Sequence, residues 1–224
     1  MINVAIDGPS GAGKSTIARR IASDLGYVYI DTGAMYRTLA YKALKSGMDI
    51  GCCADKVVAM LANTNISLTY KDGLQRMILD GEDVTDYIRT PEVSMGASKV
   101  SAIPEVRAWL LEYQRGLAGK NNCLMDGRDI GTVVLPDANV KIFLTASSEA
   151  RAKRRFDELV AKGESVTFDE VLKDMIKRDS DDSQRACAPL KQAEDACLVD
   201  TSFLSFEESV DAIKKIISDK VGEA

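Results

Sequence analysis

Gly8-Pro9-Ser10-Gly11-Ala12-Gly13-Lys14-Ser15 follows the short apolar run Ile2-Asn3-Val4-Ala5-Ile6 near the start of the chain. The spacing is G-x-x-x-x-G-K-S, in which glycines let successive backbone N–H groups turn inward around an anion. Ile17, Ala18, Ile21, Ala22 and Leu25 then recur at helical spacing until Gly26, which predicts a helix whose positive N-terminal end adds to the anion site. Strand, loop and helix in that order imply that the chain binds a nucleoside triphosphate. Gly8, Pro9, Ser10, Gly11, Ala12, Gly13, Lys14, Ser15 and Thr16 are the expected phosphate-binding set. Lys14 is expected to reach the β- and γ-phosphates, and the Ser15 hydroxyl to join the shell of a Mg²⁺ ion.

Four further apolar runs repeat the pattern: Tyr27-Val28-Tyr29-Ile30, Cys123-Leu124-Met125, Val140-Lys141-Ile142-Phe143-Leu144 and Ala196-Cys197-Leu198-Val199. Each runs into small or charged residues and then a helical pattern. Five strands alternating with helices predict an α/β fold with a parallel sheet covered on both faces. Ligands in such sheets bind beyond the C-terminal strand ends. Thr167-x-x-Glu170 and Ser205-x-x-Glu208 read as capping boxes opening two helices. Between residues 63 and 88 the rhythm changes: alternating runs are separated by Asp72-Gly73 and Asp80-Gly81, which predicts a small antiparallel insert.

The chain has 224 residues, 46% of them hydrophobic and 28% charged, the balance of a soluble globular protein. A net charge of −5 argues against general nucleic-acid binding, which needs excess Lys and Arg. With no apolar run of spanning length and no leader, the expectation is a cytoplasmic protein without a membrane partner. The five cysteines include no C-x-x-C pair and are expected to be buried free thiols. Histidine is absent, which removes His-based triads, His metal ligands and His acid–base catalysis.

Polar clusters at the strand ends suggest a second anion site. Asp126-Gly127-Arg128-Asp129 follows the third strand, where an Asp beside a phosphate loop commonly holds Mg²⁺ or its waters; Asp126 and Ser15 are therefore the metal candidates. Asp31-Thr32-Gly33-Ala34-Met35-Tyr36-Arg37 opens a helix, which Asp31 and Thr32 could simply cap. Arg151, Arg154 and Arg155 share one helix face, and Arg178 through Arg185 add further charge beyond Lys162-Gly163-Glu164. Arginines on both sides of such a break suggest a lid over a transferring phosphoryl group.

GPSGAGKST, DTGAMYR, GEDVTDYIRTPEV, DGRDIGT and RDSDDSQRACAPL together resemble the bacterial cytidylate kinase family, from residue 2 to about residue 200. The resemblance implies transfer of the ATP γ-phosphoryl group to CMP or dCMP with Mg²⁺, on a P-loop nucleoside-monophosphate-kinase fold. It implies a core of 1–35, 108–150 and 186–224, a monophosphate-binding domain of 36–107 and a lid of 151–185. Thr32, Tyr36, Arg37, Arg107 and Arg128 would face the acceptor nucleotide. Ser98, Arg178 and Asp182 would face the cytosine, with Asp182 and Arg185 also approaching the sugar. Lys14, Arg128, Arg151, Arg155, Arg178 and Arg185 form the expected catalytic set, and a monomer is expected. A phosphate acceptor is already ionised at neutral pH, so the absent histidine fits this chemistry. Two alternatives stand beside it. One is a kinase of a small hydroxyl acceptor with Asp31 or Asp129 as base; the other is a nucleotide-binding switch without transfer.

Overall fold

A computed structural model describes residues 1–222 of the chain. They form two compact units, residues 1–29 with 121–222, and Ile30–Lys120.

The first unit is built on parallel strands. In chain order the sheet comprises β1 Asn3–Asp7, β2 Val28–Asp31 (which runs on into the second unit), β6 Cys123–Gly127, β7 Val140–Thr145 and β8 Cys197–Asp200. Their spatial order is β2-β6-β1-β7-β8. The first strand therefore lies between β6 and β7, pairing Ile6 with Asp126 and with Ile142. Val4, Ala5 and Ile6 are all fully buried, as a strand covered on both faces requires. α1 Lys14–Leu25 and α8 Phe206–Val221 lay Ile17, Ile21, Val210, Ile213 and Ile217 against Val4, Ile6, Leu124 and Ile142. This apolar contact fixes the strand end from which the phosphate loop leaves.

After β7 the chain enters α6 Ser148–Ala161 and α7 Phe168–Ser183, which pack on each other through Ala152, Leu159 and Val171. Phe156 and Phe168 meet edge to face across the pair, with ring centroids 6.3 Å apart. Both predicted capping boxes are formed: Thr167 with Glu170 opens α7, and Ser205 with Glu208 opens α8. Beyond β6 the expected helix is replaced by one wide π-helical turn, Ile130–Val134. The turn is too short to bury an apolar stripe of its own, and Pro136 follows it closely.

The second unit holds α2 Thr32–Lys45, α3 Ala54–Leu61, α4 Pro91–Ser101 and α5 Pro104–Ala118, with a three-stranded antiparallel sheet. That sheet is the predicted insert: β3 Ile66–Lys71, β4 Leu74–Leu79 and β5 Glu82–Asp83. Asp72 and Gly73 both take positive φ, as do Asp80 and Gly81, which suits tight two-residue turns. Met77 and Leu79 face inward while Arg76 and Ile78, which alternate with them, remain partly exposed, the pattern of a half-covered sheet.

All five cysteines are free, as expected, but only Cys123 is buried; Cys52 is exposed and Cys53, Cys187 and Cys197 are half-buried. Cys197 lies on β8, at the end of the sheet order, where among the described residues no further strand pairs with it. Among the described residues no helix is long and apolar enough to cross a membrane.

Candidate active site

The loop from Gly8 to Gly13 is shaped by contacts a side chain would destroy. A Cβ on Gly8 would lie 1.9 Å from the Leu144 carbonyl oxygen of β7, so only glycine lets β1 turn out of the sheet there. Gly13 immediately precedes α1 in a left-handed conformation, φ 89°, which suits glycine. Lys14 is buried, and its Nζ donates to the Pro9 carbonyl at 2.7 Å, closing the loop on itself. Burial, aided by the positive charge of Arg128, holds the Lys14 ammonium well below its ordinary pKa, while Asp126 and Asp7 oppose them.

Ser15 donates from Oγ to Asp126 Oδ2 at 2.7 Å, and Tyr29 donates from its hydroxyl to Asp126 Oδ1 at 3.0 Å. The two residues expected from the sequence as metal candidates thus lie in contact with each other. Hard oxygen donors of this kind suit Mg²⁺, which keeps several waters and takes the rest of its shell from substrate phosphates. Among the described residues no cluster of three or more acidic, Cys or His side chains forms a full protein cage. A two-residue attachment is the arrangement that a phosphate-bound Mg²⁺ uses.

Arg128, half-buried after β6, donates from Nε to Asp182 Oδ2 on α7 at 2.9 Å. Arg185 approaches the other Asp182 oxygen at 4.0 Å and donates to the Ala188 carbonyl at 2.6 Å. Burial alone would raise the Asp182 carboxyl, but Arg128, with Arg178 and Arg185 nearby, outweighs it and holds the group below its ordinary range. Two side chains assigned separately to acceptor phosphate and base are therefore partners of each other here.

Arg151 and Arg155 share a helix but not a role. Arg151 is buried: Nε donates to the Ala146 carbonyl, one terminal nitrogen to the Ser10 carbonyl at 3.0 Å, the other to Asp179 at 2.6 Å. It fastens α6 and α7 to the phosphate loop. Arg155 pairs with Glu158 at 3.1 Å on the outer part of the helix. Arg154 instead donates to the Thr201 carbonyl, and the buried Thr201 hydroxyl lies between the Thr145 and Ala12 carbonyls.

The second unit carries its own cluster. Asp31 is the N-cap of α2; Oδ1 accepts the Ala34 amide at 2.9 Å and Oδ2 accepts from Arg37 at 2.7 Å. Burial would raise Asp31, but Arg37, the Ala34 amide and the more distant Arg89 bring it below the ordinary carboxylate range. Arg107 is buried, stacks over the Tyr36 ring at 5.6 Å and donates to the Ser101 carbonyl at 3.3 Å. Ser101 in turn donates to the Ser98 carbonyl at 2.8 Å, and Thr32 is buried at the start of α2. Gln75 of β4 brackets the segment, accepting the Asp31 amide at 2.8 Å and donating to the Asp31 carbonyl at 3.3 Å.

Three contributors escape a reading of motifs. Asp7 is buried at the end of β1; the signal is a carboxylate closing an otherwise apolar strand. Gln75 gives no sequence signal, because its partner is 44 residues away. Tyr29 looks like an ordinary strand aromatic until its hydroxyl is seen on Asp126.

Comparison with known proteins agrees with the motifs. The model of the family described as cytidylate kinase matches residues 4–219. The chain is 52% identical over 220 residues to a cytidylate kinase of Desulfitobacterium hafniense (strain Y51), covering 98% of this chain and 94% of that protein. It is also 52% identical over 215 residues to a cytidylate kinase of Caldicellulosiruptor bescii, covering 96% and 95% respectively. Among solved structures it shares a fold with an uncharacterized protein from Eubacterium ventriosum. That match has a TM-score of 0.54 at 13% identity and covers 97% of this chain and 99% of the other.

Proposed function

The chain belongs to the cytidylate kinase family; it transfers the γ-phosphoryl group of ATP to CMP or dCMP, and we propose the following division of labour among its residues. Residues 8–16 take the ATP phosphates, with Lys14 leaving the Pro9 carbonyl for the phosphate oxygens. Ser15 and Asp126 hold Mg²⁺, which when bound neutralises phosphate charge and aligns the transferring group. Arg37, Arg107 and Arg128 grip the acceptor's phosphate, beside Thr32 and Tyr36. Ser98, Arg178 and Asp182 read the cytosine, and Asp182 and Arg185 approach the sugar. Residues 151–185 act as a lid, 36–107 as the monophosphate-binding domain, and 1–35, 108–150 and 186–224 as the core.

The observation that carries this reading is the contact between Ser15 and Asp126 at the foot of the phosphate loop. A hydroxyl and a carboxylate side by side at the foot of the loop support reading them as the Mg²⁺ pair, beside the lysine proposed to stabilise phosphate charge. No residue need act as a base, since the acceptor is a phosphate oxygen. Arg151 serves in this scheme by keeping the loop and the lid helices joined, and Arg155 by adding charge to the lid. Asp31, one of the two carboxylates (with Asp129) that a hydroxyl-acceptor kinase could use as base, is instead committed to the Ala34 amide and to Arg37. The enzyme is read as a cytoplasmic monomer acting on nucleotides, with neither nucleic acid nor membrane as partner.

A coupled ADP-release assay across CMP, dCMP, UMP, AMP and GMP tests the assignment, with Lys14→Ala as the control. Turnover is expected with CMP and dCMP, and a folded Lys14→Ala protein is expected to lose nearly all of it. Wild-type turnover in that variant would remove Lys14 from the mechanism.

A further inference from the structure

Asp7 is the last residue of β1 and directly precedes Gly8. Only 4% of it is exposed, and both carboxylate oxygens are used. Oδ1 accepts the Ile130 amide and Oδ2 the Gly131 amide, each at 2.7 Å. These are the opening amides of the wide turn Ile130–Val134, whose later Val133 and Val134 amides return to the Asp129 carbonyl. The first amides of a helical turn have no partner within it. Here the partner comes from a strand 123 residues earlier in the chain.

The turn begins two residues after Arg128. Its fit to Asp7 is close: a Cβ on Gly131 would stand 3.4 Å from Asp7 Oδ2 and 3.2 Å from Lys141 Cδ. Lys14 and Asp129 are the charged groups that act on Asp7, with opposite sign, and Lys141 bounds the turn on β7. Only an ionised carboxylate accepts both amides without offering either one a donor.

We infer that Asp7 is a positioning residue for acceptor recognition: by holding the Ile130 and Gly131 amides it fixes the backbone that presents Arg128. Asp7 touches no reacting atom. Its effect passes through the turn to Arg128, whose guanidinium reaches Asp182 on α7. The inference rests on the proposed role of Arg128 at the acceptor phosphate. A competing role, acting through Lys14 on the ATP phosphates, predicts a different kinetic signature.

Asp7→Asn keeps the shape but turns one acceptor into a donor facing an amide. Steady-state kinetics should show the KM for CMP rising by about tenfold or more, with the KM for ATP within about threefold of wild type. Gly131→Ala, which crowds the same turn from the other side, should give the same asymmetry. Folding of both variants is checked by circular dichroism; if Asp7→Asn does not fold, Gly131→Ala decides alone. Equal rises for CMP and ATP, or no change in either, in a folded variant overturns the inference. Absence of CMP turnover in the wild-type enzyme would instead overturn the acceptor assignment on which it rests.

Discussion

Asp182 and Asp7 show how one residue type serves two purposes when its surroundings differ. Asp182 faces cations, which hold it ionised, and in its proposed role it accepts a hydrogen bond from the cytosine amino group. Uracil presents a carbonyl at that position, leaving two acceptors opposed. Sites built on such bonds discriminate strongly, and about 10²-fold preference for CMP over UMP is expected where water can enter. Asp182→Ala should lose CMP turnover and narrow the CMP-to-UMP ratio of kcat/KM; an unchanged ratio would leave Asp182 as a contact to Arg128 alone. Asp7 lies in the opposite regime. Burial pushes its carboxyl from 3.8 up to about 6, with Asp129 adding and the two amides and Lys14 opposing. A raised native pKa means that the folded state holds the proton more tightly than the unfolded chain. The associated stabilisation is therefore full below about pH 4 and lost as pH rises through 6, a change of about 3 kcal/mol at 1.4 kcal/mol per unit. Urea titrations at pH 4.5, 5.5 and 6.5 should show wild type losing stability relative to Asp7→Asn as pH rises, because the other titrations cancel in the difference. A difference that does not vary with pH would contradict the burial argument.

At the scale of elements, the small antiparallel sheet does more than cover α2. Gln75 places an acceptor and a donor on the amide and carbonyl of Asp31, next to the N-cap that orients Arg37. Gln75→Ala removes both contacts, each worth about 1 kcal/mol net. The expected result is weaker CMP binding by roughly tenfold, with ATP binding unchanged, measured by separate calorimetric titrations. Equal affinity for CMP in the variant would reduce the insert to packing. The two capping boxes were legible in sequence because their partners lie three residues apart. The Gln75 bracket was not, since nothing local distinguishes a polar strand residue that meets backbone from one that meets water.

Across the whole molecule, the thiols divide by burial rather than by motif. Burial pushes the Cys123 thiol up to about 11, while Cys52 is exposed on the second unit. Cys52 also donates to Asp49, whose negative charge raises its thiol above the ordinary value and slows it relative to an isolated thiol. An aromatic disulfide reagent on the native enzyme should modify Cys52 and leave Cys123 unreacted until denaturant is added. Neither reducing agent nor Cys52→Ser should alter turnover, because Cys52 is exposed and its partner is Asp49 rather than a proposed site residue. Early loss of Cys123 under native conditions, read by peptide mass, would mean that the sheet opens more readily than its burial implies.

By itself the sequence determined the fold class, the five strands, the antiparallel insert and the phosphate loop. Each depends on short-range spacing: apolar periodicity, paired D-G turns and a glycine pattern that few conformations satisfy. The family motifs extended that legibility to a set of acceptor candidates. Only the tertiary structure decided that β1 lies between β6 and β7, because strand order depends on how helices pack across the sheet and not on any local preference. The same is true of partners. Ser15 met Asp126, Arg128 met Asp182, Arg151 met the Ser10 carbonyl and Asp7 met a turn on a distant segment. A buried charge must find a partner wherever the fold brings one, and that choice is made by packing between segments far apart in the chain.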